Sequence, residues 1–359
     1  MSSTNAATMS GTAMNDNNAS AAMASRVACL AGAQANASAP LLTFVDDERG
    51  CGLGCRFLRL TAAFVAALDA RAVLALSPAS NWYYAGDCAE NHACYFEPIT
   101  PRESAVALSL GARKHAHADQ WEAPGPVGGG AVFTRASLDR FWAAYRVRRG
   151  RAADHACFAG VADPCEQSAA AAAYLLRPNA ALRARAAAAA PPPGPPFLAA
   201  HVRHGDKARE RAPGAPEVGL AAVVDAAARR FPTVRDVWLM TEDPAVVRDA
   251  ASFPNFTFRY TDFNRTNKAE HGLSPGDARR LAANSLANLV VASEAAGFVG
   301  ADDSTWFRLA LLFAWGATGR KPNVALLGPS RFWTKGGLGS CFRLPDACPP
   351  GDGPCAPGG

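Results

Sequence analysis

The first forty residues are a run of Ala, Ser and Asn with few large apolar side chains. A segment so poor in buriable surface cannot offset the entropy lost on ordering, and residues 1–40 are expected to be disordered. From Leu41 the pattern changes. Phe57-Leu-Arg-Leu-Thr-Ala-Ala-Phe-Val-Ala-Ala-Leu sets its apolar positions at helical spacing, and Ala72-Val-Leu-Ala-Leu reads as a buried strand. Ser168 to Ala190 is an alanine-rich helical stretch, broken or restarted at Pro178. Pro191-Pro-Pro-Gly-Pro-Pro then stops any helix and stiffens the chain as polyproline II. The domain boundary is placed there: an N-terminal α/β unit over 41–190, a linker at 191–196, a C-terminal unit over 197–345, and a Pro/Gly/Cys tail at 346–359.

After the linker, strands and helices alternate. The pattern predicts strand Phe197–Val202, helix Glu217–Arg230, strand Asp236–Met240, helix Ala245–Ala251 and a short strand near Phe256–Tyr260. Helix Asp277–Ala295, strand Gly297–Gly300, helix Ser304–Trp315 and strand Asn323–Leu327 follow. Such alternation is the signature of a parallel sheet covered by helices, whose ligands bind beyond the carboxyl ends of the strands.

Composition narrows the function classes. At about 150 residues per domain, 359 residues correspond to two domains, and 49% hydrophobic content suffices for packed cores. A net charge of +5, from 36 Lys+Arg against 31 Asp+Glu, is too small an excess for a dedicated nucleic-acid binder. No apolar stretch reaches the roughly 18–20 residues that cross a bilayer, and Ala62–Leu76 is interrupted by Asp69 and Arg71. Met1 to Asn36 lacks the basic start and apolar middle of a secretory signal, so a luminal protein would carry a missing or atypical one.

Ten cysteines include the close pairs Cys51/Cys55, Cys88/Cys94 and Cys157/Cys165 and a tail set, Cys341, Cys348 and Cys355. Disulfides, a metal site or free thiols are all compatible with them. No C-x-x-C occurs and the spacings do not form zinc knuckles, so an oxidising lumen is preferred. Asn255-Phe-Thr and Asn264-Arg-Thr are glycosylation sequons that fit such a compartment.

Three loops gather chemistry at predicted strand ends. His201-Val-Arg-His-Gly-Asp-Lys-Ala-Arg-Glu-Arg combines imidazole, guanidinium, ammonium and carboxylate. Arg203 offers a planar fork for a phosphate and Lys207 a mobile point charge, so together they could neutralise a departing diphosphate without metal. Read plainly, the same residues make a solvated, salt-bridged loop. Thr241-Glu242-Asp243-Pro244 can cap a helix, with Pro244 in its first turn, or present carboxylates to ribose hydroxyls. Asp302-Asp303-Ser304-Thr305 can cap the next helix, or bind a phosphate at its amino end.

Other features carry less. His92, His115, His117 and His155 lack ligand spacing and are read as core or surface residues. Neither a P-loop nor a G-x-S-x-G elbow occurs. Gly50-Cys-Gly-Leu-Gly-Cys-Arg matches a dinucleotide fingerprint only superficially, its third glycine being misplaced.

His201 to Lys207 resembles the His-Val-Arg-Arg-Thr-Asp-Lys motif of the α1,6-fucosyltransferase and nodulation fucosyltransferase family, in the superfamily that includes protein O-fucosyltransferases. Val237-Trp-Leu-Met-Thr-Glu-Asp-Pro resembles its next strand and acidic pair, and Asn288 to Thr305 its later helix, strand and Ser-containing turn. Gly52 to Arg59, Trp82-Tyr-Tyr and Cys94-Tyr-Phe-Glu-Pro-Ile-Thr look like first-domain pieces.

The resemblance implies a GT-B-like α/β fold of two Rossmann-like domains, with a nucleotide-sugar site mainly in the C-terminal one. It implies an inverting, metal-independent transfer of fucose from GDP-fucose to a glycan or glycoprotein hydroxyl, in the Golgi or another secretory lumen. GDP-fucose is the donor substrate; no cofactor, metal or nucleic acid is implied. On the matching positions, Arg203 contacts the diphosphate, His201 and Lys207 lie around the nucleotide sugar, and Asp206 orders the loop. Glu242 and Asp243 form the acidic pair near the nucleotide, Ser304 and Thr305 supply hydroxyls near the phosphate, and Asn288 is adjacent to the position that selects guanine.

His204 and Gly205 depart from the motif's Arg and Thr, and Arg211 stands where the family has a glutamate. Glu210, one position earlier, serves as general base if the loop shifts by a residue, with Asp206 as fallback. The alternatives are a non-catalytic glycan- or nucleotide-binding relative and a transferase using another nucleotide sugar.

Overall fold

The computed structural model describes residues 6–39, 41–44, 52–76, 88, 91–101, 131–133, 155–161, 163–204, 218–263, 265, 273–301 and 304–327. The N-terminal segment departs from expectation, because Ala6–Gln34 is a helix, α1. Met23, Val27, Leu30 and Gln34 recur at steps of four, three and four, which puts them on one face. Met23, Leu30 and Gln34 are fully buried. Alanine supplies the helix propensity, and the sparse apolar stripe suffices because it lies on other helices rather than standing alone. A disulfide from Cys29 to Cys157 and an ion pair from Arg26 to Glu166 fasten α1 to the chain beyond residue 150.

Strands β1 (Leu41–Phe44), β2 (Val73–Leu76) and β3 (Ala131–Phe133) form a parallel sheet of order β2-β1-β3. Helix α2 (Leu53–Asp69) joins the first two, as its apolar spacing predicts. The Gln34 side chain accepts a hydrogen bond from the Leu74 backbone N–H of β2. Helices α3 (Pro164–Leu175) and α4 (Ala180–Ala189) flank Pro178, where the sequence puts the break. Asp163 and Asn179 cap their amino ends.

Beyond the proline linker, β4 (Phe197–Val202), β5 (Asp236–Thr241), β6 (Thr257–Arg259), β7 (Gly297–Ala301) and β8 (Val324–Leu327) form a parallel sheet of order β6-β5-β4-β7-β8. Helices α5 (Leu220–Arg230), α6 (Pro244–Asp249), α7 (Pro275–Ala292) and α8 (Thr305–Thr318) are the crossovers. The strand order reverses at β4, so the switch point of this Rossmann-like sheet lies between β4 and β7. Alternation along β4 splits its side chains between two faces. Leu198, Ala200 and Val202 join the core under α5 and α6, and Ala199 joins the one under α7 and α8.

That second core does not stop at the linker. Residues from α1, α2, α3, α7 and α8 belong to one buried cluster, so residues on both sides of 191–196 pack into a single core. The close approach depends on small residues. A Cβ on Gly316 of α8 would lie 2.2 Å from the Ala169 carbonyl oxygen of α3, where Ala169–Ala173 are all buried. Gly319, at φ 71°, ends α8 in the left-handed conformation and lies against the backbone of Ala19 in α1.

Cys88 pairs with Cys94, one of the close pairs noted in the sequence. Cys157 does not pair with Cys165 but with Cys29, and Cys55 and Cys165 are also disulfide-bonded. Cys51 and the tail cysteines lie outside the described residues. No helix among the described residues is long and apolar enough to cross a membrane.

Candidate active site

Because the larger sheet is parallel, the loops after β4, β5, β6 and β7 all leave from one edge. Val202 at the end of β4 is registered with Thr241 at the end of β5, which sets the next residues of the two strands side by side. The Arg203 guanidinium Nε lies 3.7 Å from Glu242 Oε1. The same oxygen accepts the His204 backbone N–H at 3.0 Å. The His204 ring Nδ1 lies 2.7 Å from Asp243 Oδ2. Two consecutive residues after β4 are thus matched to two consecutive carboxylates after β5.

Asp243 is held from both sides. Its Oδ1 accepts the Ala245 N–H and caps α6, with Pro244 in the first turn as the sequence suggests. Its own N–H donates to Thr241 Oγ1 at 3.1 Å. Capping and pairing therefore coexist in one carboxylate, which is 8% exposed. Glu242 differs: burial pushes its carboxyl above the ordinary glutamate value, with the Arg203 charge the main opposing influence. Arg203 and Glu242 keep about a quarter of their side-chain surface exposed, so both remain reachable by a ligand.

His201 is buried, its ring stacked on Phe307 of α8 at 6.0 Å between centroids. Gly300, paired in register with His201, makes room for that ring, since a Cβ there would lie 2.8 Å from Phe307. Ser304 is buried and caps α8 through the Phe307 N–H, and Thr305 follows as the first helical residue. Asn288 on α7 is buried too, and its Oδ1 accepts from Thr261 Oγ1 beyond β6 at 3.2 Å. Asp206, Lys207 and Glu210 lie outside the described residues.

The sequence reading missed two contributors. Arg265 donates from Nε to the Thr241 carbonyl at 3.1 Å and from a terminal nitrogen to the Thr261 carbonyl at 2.7 Å. Its guanidinium also lies over the rings of Tyr260 and Phe263. It ties the segment after β6 to the residue preceding Glu242. Its place in a polar loop gives no periodic signal.

The second is Gly54. A Cβ there would lie 2.7 Å from the Trp306 backbone nitrogen, so the first turns of α2 and α8 meet backbone to backbone. The amino ends of the two helices, each carrying partial positive charge, therefore meet at this point. Gly54 stands in the segment whose match to a dinucleotide fingerprint is superficial, and the contact rests on its missing side chain instead.

No protein-family model and no curated protein matches the sequence. Among solved structures, the chain is similar to the fucosyltransferase NodZ from Bradyrhizobium, at 16% identity over 76% of this chain and 92% of that one, with a TM-score of 0.44. It is also similar to a mutant of Arabidopsis thaliana FUT1 in complex with GDP, at 11% identity over 81% of this chain and 71% of that one, TM-score 0.42. A third is POFUT1 in its apo form, at 11% identity over 82% and 99%, TM-score 0.41.

Proposed function

We propose that this chain is an inverting, metal-independent glycosyltransferase that moves fucose from GDP-fucose to a hydroxyl of a glycan or glycoprotein in a secretory-pathway lumen. The observation that carries the reading is the pairing of Arg203 and His204 with Glu242 and Asp243 at the carboxyl ends of β4 and β5. It sets a cationic fork, restrained but still exposed, at the sheet edge where α/β proteins bind ligands. The segment that does so is the one whose residues resemble the family's donor-binding motif.

In the reaction, Arg203 binds the diphosphate through paired N–H donors and stabilises the charge that grows as GDP leaves. Lys207 adds a second positive charge. Ser304 and Thr305 lie near the phosphates at the amino end of α8, and Asn288 near the base. The acceptor oxygen attacks C1 of fucose opposite the leaving group: the new O–C1 bond forms as the C1–O bond to phosphate breaks, and GDP departs with the electron pair. The acceptor proton passes to a carboxylate, Glu210 or, failing that, Asp206.

The test is fucose transfer from GDP-fucose to a panel of glycan acceptors in the presence of a chelator. Transfer by the parent chain, and its loss in Arg203→Ala with the circular dichroism spectrum unchanged, supports the reading. GDP binding without transfer to any acceptor would instead favour the non-catalytic relative, for which Arg211 at the family's glutamate position is the motivating observation.

A further inference from the structure

We propose that Asn255 carries an N-linked oligosaccharide. Asn255-Phe256-Thr257 is a sequon, and the fold presents it for modification: Asn255 and Thr257 are both exposed. The Phe256 N–H donates to the Phe253 carbonyl at 3.0 Å, which closes a turn with Pro254 and Asn255 at its two central positions. Aromatic packing anchors the turn from below. The rings of Phe253 and Phe256 lie 6.4 and 6.2 Å from that of Phe258, and the Arg235 guanidinium lies 5.4 Å from Phe256. The phenylalanines hold the backbone while the asparagine between them faces solvent.

Placement strengthens the case. The turn leads into β6, the outer strand of the larger sheet, at its amino end. The candidate active site is at the opposite, carboxyl end, so an oligosaccharide on Asn255 leaves it clear. A bulky hydrophilic group beside β6, an edge strand among the described residues, also hinders edge-to-edge pairing with a second molecule. Disulfides such as Cys29–Cys157 and Cys88–Cys94 persist in oxidising compartments, the kind in which this modification is made.

In the step itself, Asn255 Nδ2 attacks C1 of the reducing-end sugar of a lipid-diphosphate oligosaccharide. The N–C1 bond forms, the C1–O bond to phosphate breaks, the lipid diphosphate leaves with the electron pair, and the Nδ2 proton goes to a base of the transferring enzyme. The inference shares the secretory compartment with the proposed function and needs no transferase activity.

The test is peptide mapping of the full chain, directed into the lumen of a eukaryotic secretory host, before and after an amidase that releases N-glycans and converts occupied asparagine to aspartate. The expected result is conversion of Asn255 to Asp in most molecules. Thr257→Ala should abolish the conversion and Thr257→Ser, which preserves the sequon, should retain it. Unmodified Asn255 in molecules whose Cys29–Cys157 bond has formed overturns the proposal, as does conversion that survives Thr257→Ala.

Discussion

His204 and Asp243 meet at 2.7 Å across the ends of two parallel strands, and the carboxylate that receives the imidazole also caps α6 through its second oxygen. One side chain thereby fixes both the loop after β4 and the helix after β5. Asp243→Asn can keep the cap but gives up the charge facing His204, whereas Asp243→Ala loses both. Thermal denaturation should find Asp243→Ala destabilised by about 1–3 kcal/mol, from the lost cap and the lost buried hydrogen bond. Asp243→Asn should fall between it and the parent. Equal stability of all three would show that the pair holds nothing.

Glu242 gives the site a pH signature. Its folded-state carboxyl is raised by burial, so in the window between the ordinary value and the raised one the folded protein binds more protons than the unfolded. Stability attributable to this group therefore falls as pH rises through that window, and the cost is absent below it. Urea denaturation of the parent and Glu242→Gln at acid and neutral pH should show the variant gaining relative stability toward neutral pH. The opposite trend would mean that the Arg203 charge outweighs burial.

Gly54→Ala should cost about 1–3 kcal/mol, because its Cβ would meet the backbone of Trp306 rather than the mobile end of a side chain. A calorimetric melting scan checks this. An unchanged melting temperature would indicate that α2 and α8 do not touch there.

Cys29→Ser removes a cross-link between residues 128 apart and should destabilise the fold by about 2–5 kcal/mol. Reducing agent should act on the parent in the same direction. If α1 were only loosely attached, neither treatment would move the denaturation midpoint.

The strands and helices after the linker were legible because each has one strong period and a turn signal at its ends: Pro244 and Ser304 mark helix starts in sequence as they do in the fold. The acidic pair was legible for the same reason, since helix caps and ligand loops occupy the same places after parallel strands. Helix α1 was not. Met23, Val27 and Leu30 are too few among alanines to predict a buried face, and their partners on α3 and α8 are more than a hundred residues away. Distance in sequence also hid the Cys29–Cys157 bond and the approach of Gly54 to Trp306. Arg265 was invisible for a different reason: its partners are backbone carbonyls and ring faces, which no residue pattern encodes.

A guanine nucleotide-sugar site at the ends of β4 and β5, as proposed, is read out by isothermal titration of the purified chain with GDP-fucose, GDP and UDP, without divalent metal. Binding of GDP-fucose and GDP in preference to UDP, lost in Arg203→Ala while the melting temperature is kept, is the predicted result. Absence of binding by the folded parent chain, or equal binding by Arg203→Ala, would contradict it.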